Sequence, residues 1–397
     1  MSVLMDRMNQ TLKELRDAGT FKHLRTLTTP MAPLTHMEGI DEVLVFCANN
    51  YLGLANHPEV VQAGIDGLKK YGAGTASVRF ICGTFDCHHM LENRLAEFLG
   101  TESSLTYVSC WNANEGLMTN LVREGDLIVS DELNHASIID ATRLAKQATR
   151  KVYPHNNLNA LEGILTEHAA APVKIVISDG VFSMEGDIAP LPELVAVCKK
   201  HNATLVVDDS HGVGVLGKNG RGVHEHFNIP GKSPSGIDFI LTGTLGKALG
   251  GAAGGYVAGP KPIIEYLIQR SRPQLFSNAL PATVACSAGK ALELLQRNNN
   301  LVETLRKNVD QMRSGLKSLG YEALESPTAI IPIIVGDTAK AIRLSNRLLE
   351  LGVFVIGFGF PVVPEGTARL RVQMSAAHTP QQIEKALEAF KKLKSEV

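Results

Sequence analysis

The chain has 397 residues, 44% hydrophobic and 20% charged, and its 39 basic against 40 acidic side chains leave a formal charge of −1. That length suits two domains, or one large domain with a satellite, and the composition is that of a soluble protein burying a large core. No charge surplus exists to drive binding to a nucleic-acid backbone or an anionic membrane, and no run reaches the roughly eighteen apolar residues of a membrane span.

In chain order, Leu4, Met8, Leu12 and Leu15 fall at helical spacing before Gly19, and residues 43–47 read as a short strand leading to the turn at 48–51. From about residue 56 short apolar runs alternate with helical patterns. The runs are 104–108, 127–129, 173–177, 204–207 and 239–241; helices are expected over 113–122, 136–148 and 191–201. Strands apolar on both faces and alternating with helices define an α/β region with a largely parallel sheet over residues 56–285. After helices over 284–297 and 301–319, a smaller α/β pattern follows, with strands at 330–335 and 368–374 and helices at 340–351 and 380–394. The expected organisation is an N-terminal segment, 1–55, joining a small C-terminal domain, 286–397, around a large domain, 56–285.

The six cysteines, Cys47, Cys82, Cys87, Cys110, Cys198 and Cys286, follow no disulfide-framework spacing, and the first residues lack a secretory pattern, so a cytoplasmic setting is expected. Gly212-Val-Gly-Val-Leu-Gly217 has dinucleotide-loop spacing, but Asp209-Ser210-His211 separate it from its strand and it leads into loop rather than helix. Thr242–Lys247 lacks the first glycine and the final Ser or Thr of a triphosphate-binding loop. Cys82, Cys87, His88 and His89 have no second ligand pair at finger-like spacing, so no metal is expected.

Three strands end in polar groups: Ser178-Asp179, Asp208-Asp209 and Thr242. In a parallel sheet the carboxyl ends of the strands share one edge, where ligands bind. One site would collect Asp208, His211, Ser183, Thr244 and Lys247, the last among Gly246, Ala248 and Gly250. A lysine confined among small residues can act as an amine nucleophile. With an acid at a strand end and hydroxyls for phosphate, it points to pyridoxal phosphate, whose ring nitrogen requires a carboxylate.

Asn49-Asn-Tyr-Leu-Gly-Leu54, Asn134-His-Ala-Ser137, Asp179-Gly-Val-Phe-Ser-Met-Glu-Gly-Asp187, Val207-Asp-Asp-Ser-His211, Thr242–Lys247 and Arg369-Leu-Arg-Val-Gln-Met-Ser-Ala-Ala-His378 occur in order along nearly the whole chain. In these segments the sequence resembles the α-oxoamine synthases, pyridoxal-phosphate enzymes of the aspartate-aminotransferase fold (fold type I). The resemblance implies that Lys247 forms the Schiff base with the cofactor and moves the Cα proton. Asp208 would meet the pyridine nitrogen, His211 and Ser183 the ring hydroxyl, and His135 the ring face. The backbone of Cys110 and Trp111, with Thr244, would hold the phosphate, and Ser277 and Asn278 would reach it from the partner of a homodimer whose active sites lie at the subunit interface. Asn49 and Arg371 would hold the substrate carboxylate. Strand alternation places Arg369, Arg371 and Gln373 on one face and does not separate the two arginines.

Arg270-Ser-Arg-Pro273, Leu275-Phe-Ser-Asn278 and Phe360-Pro-Val-Val-Pro364 imply the branch that condenses glycine with acetyl-CoA. The branch that condenses alanine with pimeloyl-CoA and loses carbon dioxide, and a catalytically silent scaffold, are the alternatives. His378 is placed near the acyl group, Gly357 and Gly359 suggest room for an acyl chain longer than acetyl, and Lys22 and Arg25 suit coenzyme A phosphates.

Overall fold

Strands that are apolar on both faces are stable only inside a sheet covered on two sides, and the computed structural model of the chain, which describes residues 2–395, builds such a sheet. The chain divides into two compact units. The larger holds Asn49–Ser183 and Asp187–Thr304; the smaller holds the chain up to Ala48, Met184–Gly186, and the chain from Leu305. The helix Ala282–Arg297 packs on the helices Pro58–Tyr71 and Asp86–Leu99 and so lies with the larger unit. The boundary therefore falls near residue 305 instead of at 286.

The larger unit is built on seven strands in the spatial order Ser103–Tyr107, Gly255–Gly259, Phe239–Thr244, Thr204–Asp208, Lys174–Asp179, Leu127–Asp131 and Thr149–Tyr153. All run parallel except Gly255–Gly259, which is antiparallel to both neighbours. Two of the seven had no apolar run to announce them. Thr149–Tyr153 is an exposed, polar edge, and Gly255–Gly259 is too glycine-rich to show strand propensity. Apolar side chains of the central strands (Ile128, Ile175, Ile177, Val206 and Ile240) pack with Leu117, Met118 and Ile138 from the helices Cys110–Leu121 and Ala136–Leu144 in one buried cluster. The parallel register sets Asp179 beside Asp208 and Asp208 beside Thr242 along the carboxyl edge.

The smaller unit has two three-stranded sheets. One joins Leu34–Met37, Ile40–Val45 and Val353–Phe354; the other centres Ala368–Gln373 between Ile330–Gly336 and Ile356–Phe358. The first helix, Val3–Asp17, forms over the expected repeat and is capped by Ser2, with Leu4, Met8, Leu12 and Leu15 exposed.

A charged clamp fixes the loop that follows strand Lys174–Asp179. His155 Nδ1 lies 3.0 Å from Asp131 Oδ1 and its Nε2 lies 2.8 Å from Asp187 Oδ2, with the ring edge-on to Phe182. Burial alone would lower the imidazole pKa, but bonds to the two carboxylates outweigh it and raise the value to about 10. The folded value lies above the unfolded one of about 6.5, so the stabilisation is complete below that pH and disappears as pH rises toward about 10. His155→Gln should therefore lower the melting temperature most near pH 6 (about half a unit below the unfolded value), and the gap from wild type should shrink steadily on titration to pH 10, about the folded value. A gap independent of pH would contradict this role. In the sheet interior, Ile240→Ala removes a fully buried side chain and should cost about 2–5 kcal/mol in denaturant-induced unfolding.

Candidate active site

The site grows from the end of strand Thr204–Asp208. Asp208 is only 3% exposed, and a carboxylate so placed must be satisfied by nearby donors. Asn114 Nδ2 donates to its Oδ2 at 2.7 Å, Ser210 N donates to its Oδ1 at 3.0 Å, and the Cys110 thiol lies 3.5 Å from Oδ2. Burial, with Asp208 alongside, holds that thiol protonated far above its ordinary range, so it remains a donor. The same Asn114 amide reaches Ser137 Oγ at 3.0 Å. Sequence reasoning passed over Asn114. Its signal was its position one helical turn after Cys110, on the face that Cys110 presents.

The adjacent Asp209 points elsewhere. Its Oδ2 accepts from Val223 N at 2.7 Å, burial pushes its pKa to about 7, and a side chain at Gly212 or Gly222 would collide with the carboxyl. The glycine run at 212–217 therefore folds a tight loop around Asp209 and opens no helix.

Lys247 Nζ stands 2.8 Å from His211 Nε2, and His211 Nδ1 stands 2.8 Å from the Tyr51 hydroxyl. Tyr51 donates onward to Asn49 Oδ1 at 3.5 Å. With Nδ1 protonated, the imidazole donates to Tyr51 and Nε2 accepts from Lys247, so one chain of polar contacts links Lys247, His211, Tyr51 and Asn49. Tyr51 lies within the motif at 49–54 but had been given no role. Thr244 staples the lysine loop: its Oγ1 donates to Gly254 O at 3.1 Å and accepts from Gly246 N at 3.0 Å.

Ser109 caps the helix Cys110–Leu121 through Asn112 N, leaving the Cys110 and Trp111 amides in the first turn, where a helix favours an anion. Gly255 lets the antiparallel strand pass this turn, because a Cβ there would overlap the Cys110 backbone. His135 N donates to Asp179 Oδ2 at 2.7 Å, its Nδ1 accepts from Ser137 N, and its ring meets Trp111 edge-on at 6.1 Å. Burial and the neighbouring Asp208 push Asp179 well above the usual carboxylate range. Ser183 ends the larger unit's first segment in the loop after Asp179. Ser277 and Asn278 lie on the turn after the helix Arg272–Phe276, where Asn278 is bridged to Val78 and Phe276 and Phe80 are exposed.

In the smaller unit the two arginines separate. Arg369 Nη1 is bound by Met184 O at 2.9 Å and Glu185 Oε1 at 3.0 Å, while the Arg371 guanidinium lies over the Phe358 ring at 4.6 Å. One expectation is corrected there. His378 is buried, stacked on Phe46, with Nδ1 accepting from Ser375 N and Nε2 bonded to Val45 O, and burial lowers its pKa to about 4; it is a packing residue. A Cβ at Gly357 or Gly359 would strike Ala341 or Thr338 of the helix Thr338–Glu350, so both glycines serve close packing. Arg25 bonds Asn346 Oδ1 at 3.0 Å. His88, grouped with the cysteines by sequence, spends both ring nitrogens on Phe85 N and Leu280 O.

A lysine beside a histidine, a buried carboxylate, a capped helix start and a glycine that keeps that start uncrowded form the donor set that pyridoxal phosphate requires. Fold and site together define a fold-type-I pyridoxal-phosphate transferase. A family model for class I and II aminotransferases matches residues 41–390. The chain is 46% identical over 390 residues to the 2-amino-3-ketobutyrate coenzyme A ligase of Escherichia coli K12, covering 98% of this chain and 96% of that protein. It is 44% identical over 390 residues to an 8-amino-7-oxononanoate synthase of Thermoanaerobacter pseudethanolicus, covering 98% and 97%. A solved structure of SPT with a PLP internal aldimine matches with a TM-score of 0.93 at 31% identity, over 100% of this chain and 99% of that one. The chain belongs to the class I and II aminotransferase family, in its α-oxoamine synthase branch.

Asn114→Ala would strip a buried carboxylate of a close donor, at a cost of about 1–3 kcal/mol. Equilibrium dialysis should show pyridoxal phosphate held roughly tenfold or more weakly, and Gly255→Ala should weaken it by displacing the helix start. Unchanged retention in both variants would refute this account of the site.

Proposed function

We propose that the enzyme condenses glycine with acetyl-CoA to give 2-amino-3-oxobutanoate and CoA, and that run in reverse it cleaves that ketoacid with CoA, the direction of threonine breakdown. The observation that carries this reading is the Lys247–His211–Tyr51 chain beside the satisfied Asp208, in a chain 46% identical to a 2-amino-3-ketobutyrate coenzyme A ligase. Asp208, His211, Ser183, His135, Thr244 and the helix start at Cys110–Trp111 are the residues that would hold the cofactor. When bound, pyridoxal phosphate makes a Cα proton of the amino acid labile by drawing electrons from that carbon.

Lys247 Nζ is the group we assign to take that proton and return it. His211 Nε2, 2.8 Å away, steadies the amine, and Tyr51 keeps the imidazole in one orientation. Asp208, held by Asn114 and Ser210, would keep a proton on the ring nitrogen. Arg371 and Asn49 are assigned to the substrate carboxylate, because a planar fork suits bidentate recognition and Arg369 is committed to Glu185. Ser277 and Asn278 are assigned to the phosphate of a second copy in a homodimer. The exposed Phe80, Ile81 and Phe276 support a subunit surface there. Among the described residues no helix is long and apolar enough to cross a membrane, and the lack of any disulfide among the six cysteines supports a reducing, cytoplasmic setting.

The 44% identity to an 8-amino-7-oxononanoate synthase favours one second reading, alanine with pimeloyl-CoA. Release of free thiol separates the two. Acetyl-CoA with glycine should give rapid release that Lys247→Ala reduces by at least about a thousandfold, the order lost when a nucleophile or proton-transfer group is removed. Faster Lys247-dependent release from pimeloyl-CoA with alanine would replace the first reading by the second.

A further inference from the structure

Away from the active site, two nucleophilic side chains share a cavity. Cys87 lies in the first turn of the helix Asp86–Leu99 and Cys286 at the start of the second turn of Ala282–Arg297, and both line a cavity of about 350 Å³ together with Asp66, Lys70, Arg94 and Lys290. Cys87 is buried and Cys286 half-buried, so one sulfur is reached first and the other stands behind it. The two helix starts are tied together, since His88 Nε2 bonds Leu280 O at 2.6 Å, and Ala279 N donates to Ser77 O at 3.1 Å. The helix Pro58–Tyr71 passes the pair at Gly67, where a Cβ would stand 2.9 Å from Cys286 Sγ; the glycine leaves that sulfur its space.

The thiols hydrogen-bond to one another, which lowers the Cys286 pKa to about 7 against the opposing effect of burial, with the Lys70 ammonium assisting; the same bond, with burial, pushes Cys87 upward. The outer sulfur is thus the more readily ionised and the inner one the better holder of a proton, the division of labour that thiol–disulfide exchange requires.

We propose that Cys87 and Cys286 form a dithiol site that exchanges with a small-molecule disulfide, with Cys286 attacking and Cys87 resolving. The Cys286 thiolate attacks one sulfur of RSSR, that S–S bond breaks, and RS⁻ leaves and takes up the proton Cys286 gave to solvent. A mixed disulfide then stands on Cys286. Cys87 gives up its proton and attacks Cys286 Sγ, and the second RS⁻ leaves with that proton. In sum the protein dithiol is oxidised to one intramolecular disulfide, and one RSSR is reduced to two RSH. The cross-link joins the helices Asp86–Leu99 and Ala282–Arg297 and closes a loop of about 200 residues, a length at which a cross-link restrains the unfolded chain strongly.

Oxidised glutathione is the probe, applied to the full-length holoenzyme at pH 8, with free thiols then titrated in denaturant and peptides mapped without reduction. Two thiols should disappear, the Cys87 and Cys286 peptides should be linked with no glutathione retained, and dithiothreitol should restore both thiols. In Cys87→Ser a glutathione adduct should persist on Cys286; in Cys286→Ser neither a cross-link nor an adduct on Cys87 should form. The wild-type experiment stands without the variants, so a misfolded variant does not leave the question open. Retention of all six thiols, glutathione found only on exposed Cys82, or a wild-type adduct on Cys286 that never resolves would each overturn the proposal.

Discussion

A carboxylate kept almost wholly out of water is the constraint around which the larger unit is arranged. Asp208 can remain at the end of its strand only if donors come to it. Meeting that need fixes the helix Cys110–Leu121, because Asn114 must project from one turn of it while the Cys110 thiol lies along the same face. Once that helix is fixed, its N-terminus is fixed as well, and with it the direction in which backbone amides are offered to a phosphate. Gly255 belongs to the same constraint, since the neighbouring strand must pass the helix start at backbone contact. A polar requirement at one atom thus propagates into the placement of an entire helix start, the one proposed to hold phosphate.

The lysine is governed by a second arrangement built on the same strand edge. Its loop is closed by the Thr244 hydroxyl, and its amine is met by His211, whose other nitrogen is held by Tyr51. Asp208, Lys247 and their supports come from a strand end, a turn, a loop after a neighbouring strand and the segment at 49–51. None of these is rigid alone, and each is fixed by bonds to another. Few groups, close together, with their orientations set in advance, are the preorganisation that the proposed proton transfer at carbon would require.

In the smaller unit the central strand Ala368–Gln373 carries two arginines on one face, and chemistry distinguishes them only through their neighbours. Glu185 and the Met184 carbonyl engage Arg369, whereas the flat face of Arg371 lies over the Phe358 ring. The glycines flanking Phe358 belong to this packing, since they allow the helix Thr338–Glu350 to lie close against the backbone.

Much of this molecule was legible in its linear order. Alternation of apolar runs with helical periodicity is a local property, so the α/β class, the parallel sheet and the shared edge of its strand ends followed from it, and that edge offered Lys247, His211 and Asp208 as the candidate site. The motifs at 49–54, 134–137, 179–187, 207–211 and 369–378 carried the family. What remained hidden depends on neighbours remote in sequence. The edge strand Thr149–Tyr153 and the glycine-rich Gly255–Gly259 are strands because partners supply their hydrogen bonds, not because their residues favour extension. That Asn114 bonds Asp208, that Tyr51 holds His211, that Arg369 is engaged by Glu185 and that His378 is packing were decided only when separate elements met. Periodicity assigns a side chain to a face; which atoms wait on that face is settled by tertiary contact.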